Sequence, residues 1–324
     1  MSRWKVLAVI FSAAGLLAAI AYAGFDAVGH AAERVGLSGL ALLALLHLPA
    51  VVLMGYAWSR IGSVVSDGSP WRYVWARYVR ESTAEVLPLS QLGGVVAGAR
   101  VLALSGIDAV SVAGSLLADL IIEQAAKLPY VLAGAILLLT GWRNTSPAIL
   151  TYALLPALAL MIGLLLWRRP ILSLLERGAH GLARRMPNLR IGSPEELRLT
   201  LDRLFAMNWP TVTAFLAHAA AWVLGAVETW VALHLMGIEV SGTQAFIIDS
   251  LYCGLRTFGF AVPAALGVQE ACYILVCALV GVPAAPAVAL SLVRRVREFL
   301  VGTPGLGLWQ LLEGRRALAG VPRD

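Results

Sequence analysis

Apolar runs of about 20 residues recur from one end of this 324-residue chain to the other, and no other feature limits its fold so strictly. A helix needs that length to cross the hydrocarbon of a bilayer. Within hydrocarbon each backbone N–H and C=O must be satisfied by the segment itself, which favours helices. The runs predict spans near 5–24, 36–58, 108–140, 147–167, 210–236, 244–262 and 285–310, with a further apolar stretch at 271–282. Only 14% of the residues are charged and the mean hydropathy is +0.79, whereas a soluble domain carries about a quarter charged residues. The expectation is an all-α, polytopic transmembrane bundle of about seven or eight crossings, forming a single integral membrane domain over 1–324.

The formal charge is +6, carried almost entirely by arginine, since Lys5 and Lys127 are the only lysines. Guanidinium suits bidentate contact with phosphate. The arginines flank apolar spans and build no soluble basic domain, which argues against nucleic acid as a partner. Arginines at 168, 169, 177, 184, 185, 190, 198 and 203 mark the polar loop 168–209 as cytoplasmic by the positive-inside rule. The leading "MSRWK" and the trailing Arg315 and Arg316 put both termini on that same side, in an inner (cytoplasmic) bacterial membrane. Within the loop, Ser193-Pro194-Glu195-Glu196 has the residues of a helix start with a capping box, and predicts a short amphipathic helix on the membrane surface. The alternation of aromatics with Arg72, Arg77 and Arg80 in "WRYVWARYVR" (71–80) reads as another interfacial segment.

Three cysteines (253, 272, 277) and five histidines (30, 47, 180, 218, 234) show no ligand spacing, so neither a metal nor a cofactor is expected and the cysteines read as packing residues.

Two stretches interrupt the apolar runs. "PLSQLGGVVAGAR" (88–100) sets Pro88, Gly93 and Gly94 before Arg100, and "FAVPAALGVQE" (260–270) sets Pro263 and Gly267 before Glu270. Helix interiors resist proline and glycine, and broken backbone at membrane depth is tolerated only where it lines a cavity or is covered by protein. Both are expected to be broken segments, with one or the other re-entrant.

Ionisable residues lie inside the spans. Asp119, Glu123 and Lys127 at i, i+4 and i+8 share one helical face. A single charge at the bilayer centre costs about 2.5–3.5 kcal/mol on insertion scales, so this face must point inward, with Lys127 pairing to Glu123. The last span carries Arg294, Arg297 and Glu298, and Asp119 and Glu123 facing Arg294 and Arg297 would form a buried cluster. Arg256, Glu85 and Glu228 are further intramembrane charges.

The two interrupted regions match at an offset of 175 residues: Pro88 with Pro263, Gly106 with Gly281, Glu123 with Glu298 and Pro129 with Pro304. This suggests repeat units at 86–134 and 261–309. Paired, interrupted segments of this kind point to a midplane binding site in transporters.

"ESTAEVLPLSQLGGVVAGARVLALSG" and "PAALGVQEACYILVCALVGVP" resemble the two signature regions of the flippase-like membrane domain of lysylphosphatidylglycerol synthases. The form "EVLPLSQLGG" looks most like the stand-alone members associated with hopanoid biosynthesis. The resemblance carries the first signature onto Pro88, Gly93, Gly94 and Arg100 and the second onto Pro263, Gly267 and Glu270. Ala264-Ala265-Leu266 stands where the family pattern has glycines. Family members that make aminoacyl lipids carry a soluble catalytic domain after the last span, where only about 14 residues follow here. The resemblance therefore implies lipid handling without aminoacyl transfer.

Lipid translocation, of hopanoids or related lipids, is the function expected. Arg100, Arg256 and Arg294 would hold the headgroup, with Asp119, Glu123, Lys127, Glu270, Arg297 and Glu298 completing the polar cavity. Membrane lipids are the expected partners, with lipid-biosynthetic enzymes at the cytoplasmic face. The alternatives are a lipid-modifying membrane enzyme using its paired carboxylates and a scaffold for such an enzyme.

Overall fold

The structure, a computed structural model, describes residues 24–86, 91–141, 159, 163, 194–204, 209–256 and 267–318. Their longer elements are nine helices: α1 Phe25–Gly62, α2 Pro70–Val86, α3 Gln91–Leu104, α4 Ala109–Gly141, α5 Pro194–Leu204, α6 Trp209–Leu235, α7 Gly242–Arg256, α8 Val268–Leu279 and α9 Ala284–Leu318. The expected spans at 5–24 and 147–167, the residues Pro88 and Pro263, and most of the basic loop lie outside the described residues.

Among the described residues, three helices are long and apolar enough to cross a bilayer, covering 28–62, 109–141 and 209–235. Their outer faces carry exposed Leu45, Val52, Leu132, Ile136, Leu216 and Val223, an apolar belt suited to lipid. The expected span at 36–58 extends to a 38-residue helix, kinked where Gly36 takes a φ of 58°. The last helix, of 35 residues, runs past the expected end at 310.

The described helices on either side of the two sequence interruptions are short. Helix α2 has 17 residues and α3 has 14, about 25 and 21 Å of rise, short of a 30 Å hydrocarbon core. They lie antiparallel on each other. A Cβ on Gly94 would run into the Arg80 carbonyl oxygen, and one on Gly98 would stand 3.1 Å from that of Ala76. Gly93 and Gly94 therefore sit inside a continuous helix, and Gly94 provides close backbone approach where a break was expected. Helices α7 and α8 form a second antiparallel pair. Gln244 Nε2 donates to the Val280 carbonyl near its base (3.0 Å), and Tyr252 stacks on Tyr273 at 4.0 Å. Of the span expected at 244–262, residues 244–256 lie in a 15-residue helix that packs against α8, and 257–262 lie outside the described residues. Likewise the decapeptide 71–80, expected at the interface, belongs to α2, with Tyr73, Ala76, Arg77 and Val79 buried.

Helices α1 and α6 run antiparallel through the middle, from Arg34 at the Met236 carbonyl (3.1 Å) to His47 beside Glu228 (3.2 Å). Taking residues 25–141 and 209–318 as the two halves of the described chain, the long last helix of each leans on the other half. Helix α4 crosses α7, where Gly134 meets Ser250, and α9 crosses α2, where Tyr78 donates to the Val301 carbonyl (2.7 Å) and Gly305 meets Ser82. Helix α5, described over Pro194–Leu204 with the expected cap residue Ser193 outside the described residues, buries Leu201 and Leu204 beside α4, with Thr200 against Gly114.

Candidate functional site

The polar interior is built outward from α4. A helix places Asp119, Glu123 and Lys127 on one face, and packing turns that face inward, leaving Asp119 fully buried. Its partners come from α2, where Arg77 and Arg80 stand one turn apart and meet the two carboxylates one turn apart on α4. Arg77 reaches Glu123 through Nη1 (2.8 Å) and Nη2 (3.1 Å) and Glu81 through Nε (2.8 Å). Arg80 bridges Asp119 (3.1 Å) and Glu123 (3.1 Å). Each carboxylate thereby takes charge-assisted bonds, which offset much of the cost of burial. His218 of α6 completes this group, its Nε2 lying 2.9 Å from Asp119 Oδ1.

A second group surrounds α9. Arg294 donates to Asp249 of α7, to the Thr229 hydroxyl (2.6 Å) and to the Gly225 carbonyl (3.1 Å). The rings of Tyr252 and Tyr273 stand 5.6 and 5.7 Å from its guanidinium carbon. Tyr130 of α4 donates to the other Asp249 oxygen at 2.8 Å. Arg297 holds Glu228 (2.9 Å), which also meets His47 of α1.

Between the two groups lie looser charges. Lys127 rests 4.7 Å over the Trp222 ring, within electrostatic reach of Glu123 and Arg256. Arg256 is 4.0 Å from Glu298, and Glu85 from the end of α2 stands within reach of both.

These pairings correct the expected ones. Asp119 and Glu123 are matched by Arg77 and Arg80, while Arg294 and Arg297 take Asp249 and Glu228. Lys127 has an aromatic ring where a bond to Glu123 was expected. The geometry is the reason: α4 presents its acidic face to α2 and α6, and α9 presents Arg294 and Arg297 to α6 and α7. Two further residues leave the expected cavity. Arg100 is exposed and bidentate to Glu313 (3.0 and 3.1 Å), forming a surface tie between α3 and α9. Glu270 closes a capping box on the Gly267 N–H (2.7 Å) and accepts from Ser291 (2.9 Å) and Arg295 (3.1 Å), which gives it a structural part. Gly267 has a φ of 79°, a left-handed cap that glycine adopts without strain.

A family model described as the lysylphosphatidylglycerol synthase TM region matches residues 5–305. The chain belongs to this family. It is therefore a multi-pass membrane protein of a family tied to lipid metabolism at the membrane. No curated protein and no solved structure matches it. The matched range takes in both antiparallel pairs and every residue of the buried network.

Sequence reasoning missed Arg77, Arg80, Asp249, His47 and His218 as members of that network. The i, i+3 spacing of Arg77 and Arg80 complements the i, i+4 spacing of Asp119 and Glu123, a signal that was present but masked by the aromatics around it. Neither histidine lies in any motif. Their one signal is to be lone titratable residues in apolar spans.

Proposed function

We propose that this protein moves lipid between the leaflets of a bacterial inner membrane, with both termini cytoplasmic, and that hopanoids or their precursors are its cargo. The observation that carries the reading is the polar interior: two antiparallel pairs of helices bring Glu85 and Arg256 into one charged network inside an apolar shell. Such an interior suits a headgroup that crosses while its apolar tail stays in lipid. The narrower cargo rests on the "EVLPLSQLGG" resemblance.

We further infer an inverted internal repeat, which would support the same reading. Helices α3 and α8 end at Leu104 and Leu279, and α4 and α9 begin at Ala109 and Ala284, each pair 175 residues apart. Between them Gly106 and Gly281 share a left-handed φ, of 92° and 82°. The packing follows the same offset. Gly134 on Ser250 corresponds to Trp309 and Trp75, which line one hollow, and α4 crossing α7 corresponds to α9 crossing α2. Residues 34–60 of α1 correspond to 209–235, the whole of α6, and these two helices are antiparallel. Equivalent helices running in opposite directions are related by an axis in the membrane plane, the symmetry of transporters that open alternately to each side.

The test is a quantitative lipid profile of a deletion strain and its complement, on whole cells and on separated membranes. Constant totals with one lipid redistributed are expected. Loss of a lipid from whole cells, or accumulation of an unmodified precursor, would replace translocation with an enzymatic role.

A further inference from the structure

Trp75 and Trp309 stand at the 175-residue offset from Ser250 and Gly134, yet the two crossings differ. Where α4 crosses α7, Gly134 brings its backbone onto the Ser250 hydroxyl and leaves no room between them. Where α9 crosses α2, the helices touch through Gly302 and Gly305 against Ser82, and the two tryptophans stand further along. They line a hollow of about 100 Å³, walled by α2, the end of α3 and the last turns of α9. That is several times the space of about 15 Å³ that one water needs.

The hollow lies at one edge of the bundle. The turn after α1 meets the turn after α3 there, with Gly68 against Ile107, and α2 and α4 begin beside it. Trp71, at the start of α2, is 70% exposed. Tryptophan gathers where hydrocarbon meets headgroups, and this edge carries Trp71, Trp75 and Trp309.

The lining joins a spare cation to apolar walls. Among the described residues, no side-chain hydrogen bond or ion pair engages the exposed Arg72, which borders the hollow. Glu313, also on its wall, is already matched by the bidentate Arg100 (3.0 and 3.1 Å). The Trp309 Nε1–H is shielded from water and has no acceptor among the described residues, and a shielded donor left unmatched is costly. Val101, Leu104 and Leu312 supply the apolar side. Leu308 and Leu311 continue it outward on the same face of α9 and are exposed. A free phosphate gains nothing from these leucines, whereas the chains of a lipid cover them.

We propose that this hollow holds the headgroup of an anionic glycerophospholipid. Its phosphate takes bonds from Arg72 and the Trp309 N–H, and its acyl chains lie on Leu308, Leu311 and Leu312. The lipid touches α2 and α3 of one half and α9 of the other, so it ties the halves together at this edge. The equivalent crossing, closed by Gly134 and Ser250, has no such place. This lipid stays with the protein as a bound component, and its site requires only that the chain lie in a bilayer, not that it move cargo.

The test uses the full-length protein in detergent, with phosphatidylglycerol added and bound lipid counted by native mass spectrometry. The wild type should retain one lipid that Arg72→Gln binds at least about tenfold more weakly, the effect of one lost charge-assisted bond. Trp309→Phe keeps an aromatic ring and removes the N–H, and should weaken the same lipid about threefold to tenfold. Arg203→Gln, at an exposed arginine of α5, should leave retention unchanged. Full retention in both site variants, or an equal loss in Arg203→Gln, overturns the site. Phosphatidylethanolamine held as tightly overturns the anionic headgroup, and displacement by inorganic phosphate at matched concentration overturns lipid as the occupant. Phosphatidylglycerol with a photoreactive diazirine on an acyl chain should label the segment around Leu308–Leu312, and labelling confined to other segments overturns the placement. These outcomes are read on purified protein, so they stand apart from the lipid profile that decides translocation.

Discussion

Glu123 and Glu298 occupy matched positions at the 175-residue offset, yet their surroundings predict very different costs on removal. Glu123 accepts three charge-assisted bonds from Arg77 and Arg80, and Arg77 is only 4% exposed. Breaking a buried pair by deleting one partner costs about 3–5 kcal/mol, because the surviving charge is left uncompensated. Here Arg77 keeps Glu81 at 2.7 Å and Arg80 keeps Asp119 at 3.1 Å. Glu123→Ala should therefore fall at the low end, about 3 kcal/mol. Glu298 meets Arg256 at 4.0 Å, the Arg256 side chain is 38% exposed, and Glu85 repels from nearby. Screening and the relieved repulsion hold Glu298→Ala to about 0–1 kcal/mol. Unfolding of the purified variants by SDS in mixed micelles measures both. Pairing Glu123→Leu with Arg77→Met should recover part of the loss, since an apolar pair replaces an ionic one at little net cost. If Glu123→Ala shifts the midpoint no further than Glu298→Ala, the buried pairs do not hold α2 to α4 and the reasoning fails.

Other substitutions separate packing from charge. Gly94→Ala drives a Cβ into the Arg80 carbonyl and should cost about 1–3 kcal/mol, whereas Gly93→Ala, on the exposed side of the same helix, should gain up to about 1 kcal/mol. SDS titration distinguishes them. Arg100→Ala removes an exposed pair and should change stability by less than about 1 kcal/mol and leave lipid distribution in a complemented strain unaltered. Asp108 caps α4 by accepting from the Ser111 N–H at 2.9 Å, so Asp108→Ala should cost about 1 kcal/mol. Burial pushes the Asp108 carboxyl up, but bonds from the Ser111 hydroxyl and the nearby N–H groups outweigh it and hold it below its usual value. A carboxyl lowered in the folded state stabilises above its unfolded pKa and ceases to as pH falls through the folded one. Acidification from about pH 5 to about pH 3 should thus erode the wild type's advantage over Asp108→Ala.

The long spans were legible in sequence because one physical quantity decides them. An apolar run long enough to cross carries its own hydrogen bonds, and 108–140 was read within a residue of the helix 109–141. The inward face of α4 was legible for the same kind of reason, since three charges at helical spacing cannot face lipid. Partner choice was not, because it depends on which helices cross, and nothing local to Asp119 tells Arg77 from Arg294. The interfacial reading of 71–80 failed because arginines among aromatics suit a membrane surface and a buried helix matched by carboxylates equally well. Gly94 misled by chemistry: glycine marks a break or a close approach, and only the neighbouring Arg80 carbonyl decides between them. The histidines were invisible because each gains its meaning from a carboxylate in the opposite half.

That each half neutralises its own buried arginines bears on how the chain enters the membrane. Arg77, Arg80, Asp119 and Glu123 all emerge from the ribosome before residue 142, so the first half can match its charges before the second is made. An unmatched charge left at the helix centre would cost about 2.5–3.5 kcal/mol during insertion. The second half meets the same demand with Asp249 and Glu228 for Arg294 and Arg297. Among the described ion pairs, those of His47 and His218 and the exposed Arg100–Glu313 tie must wait for both halves. A neutral imidazole, like the Tyr130 phenol that reaches Asp249, enters a bilayer without bringing a charge, so these late contacts are among the least costly to leave unmade.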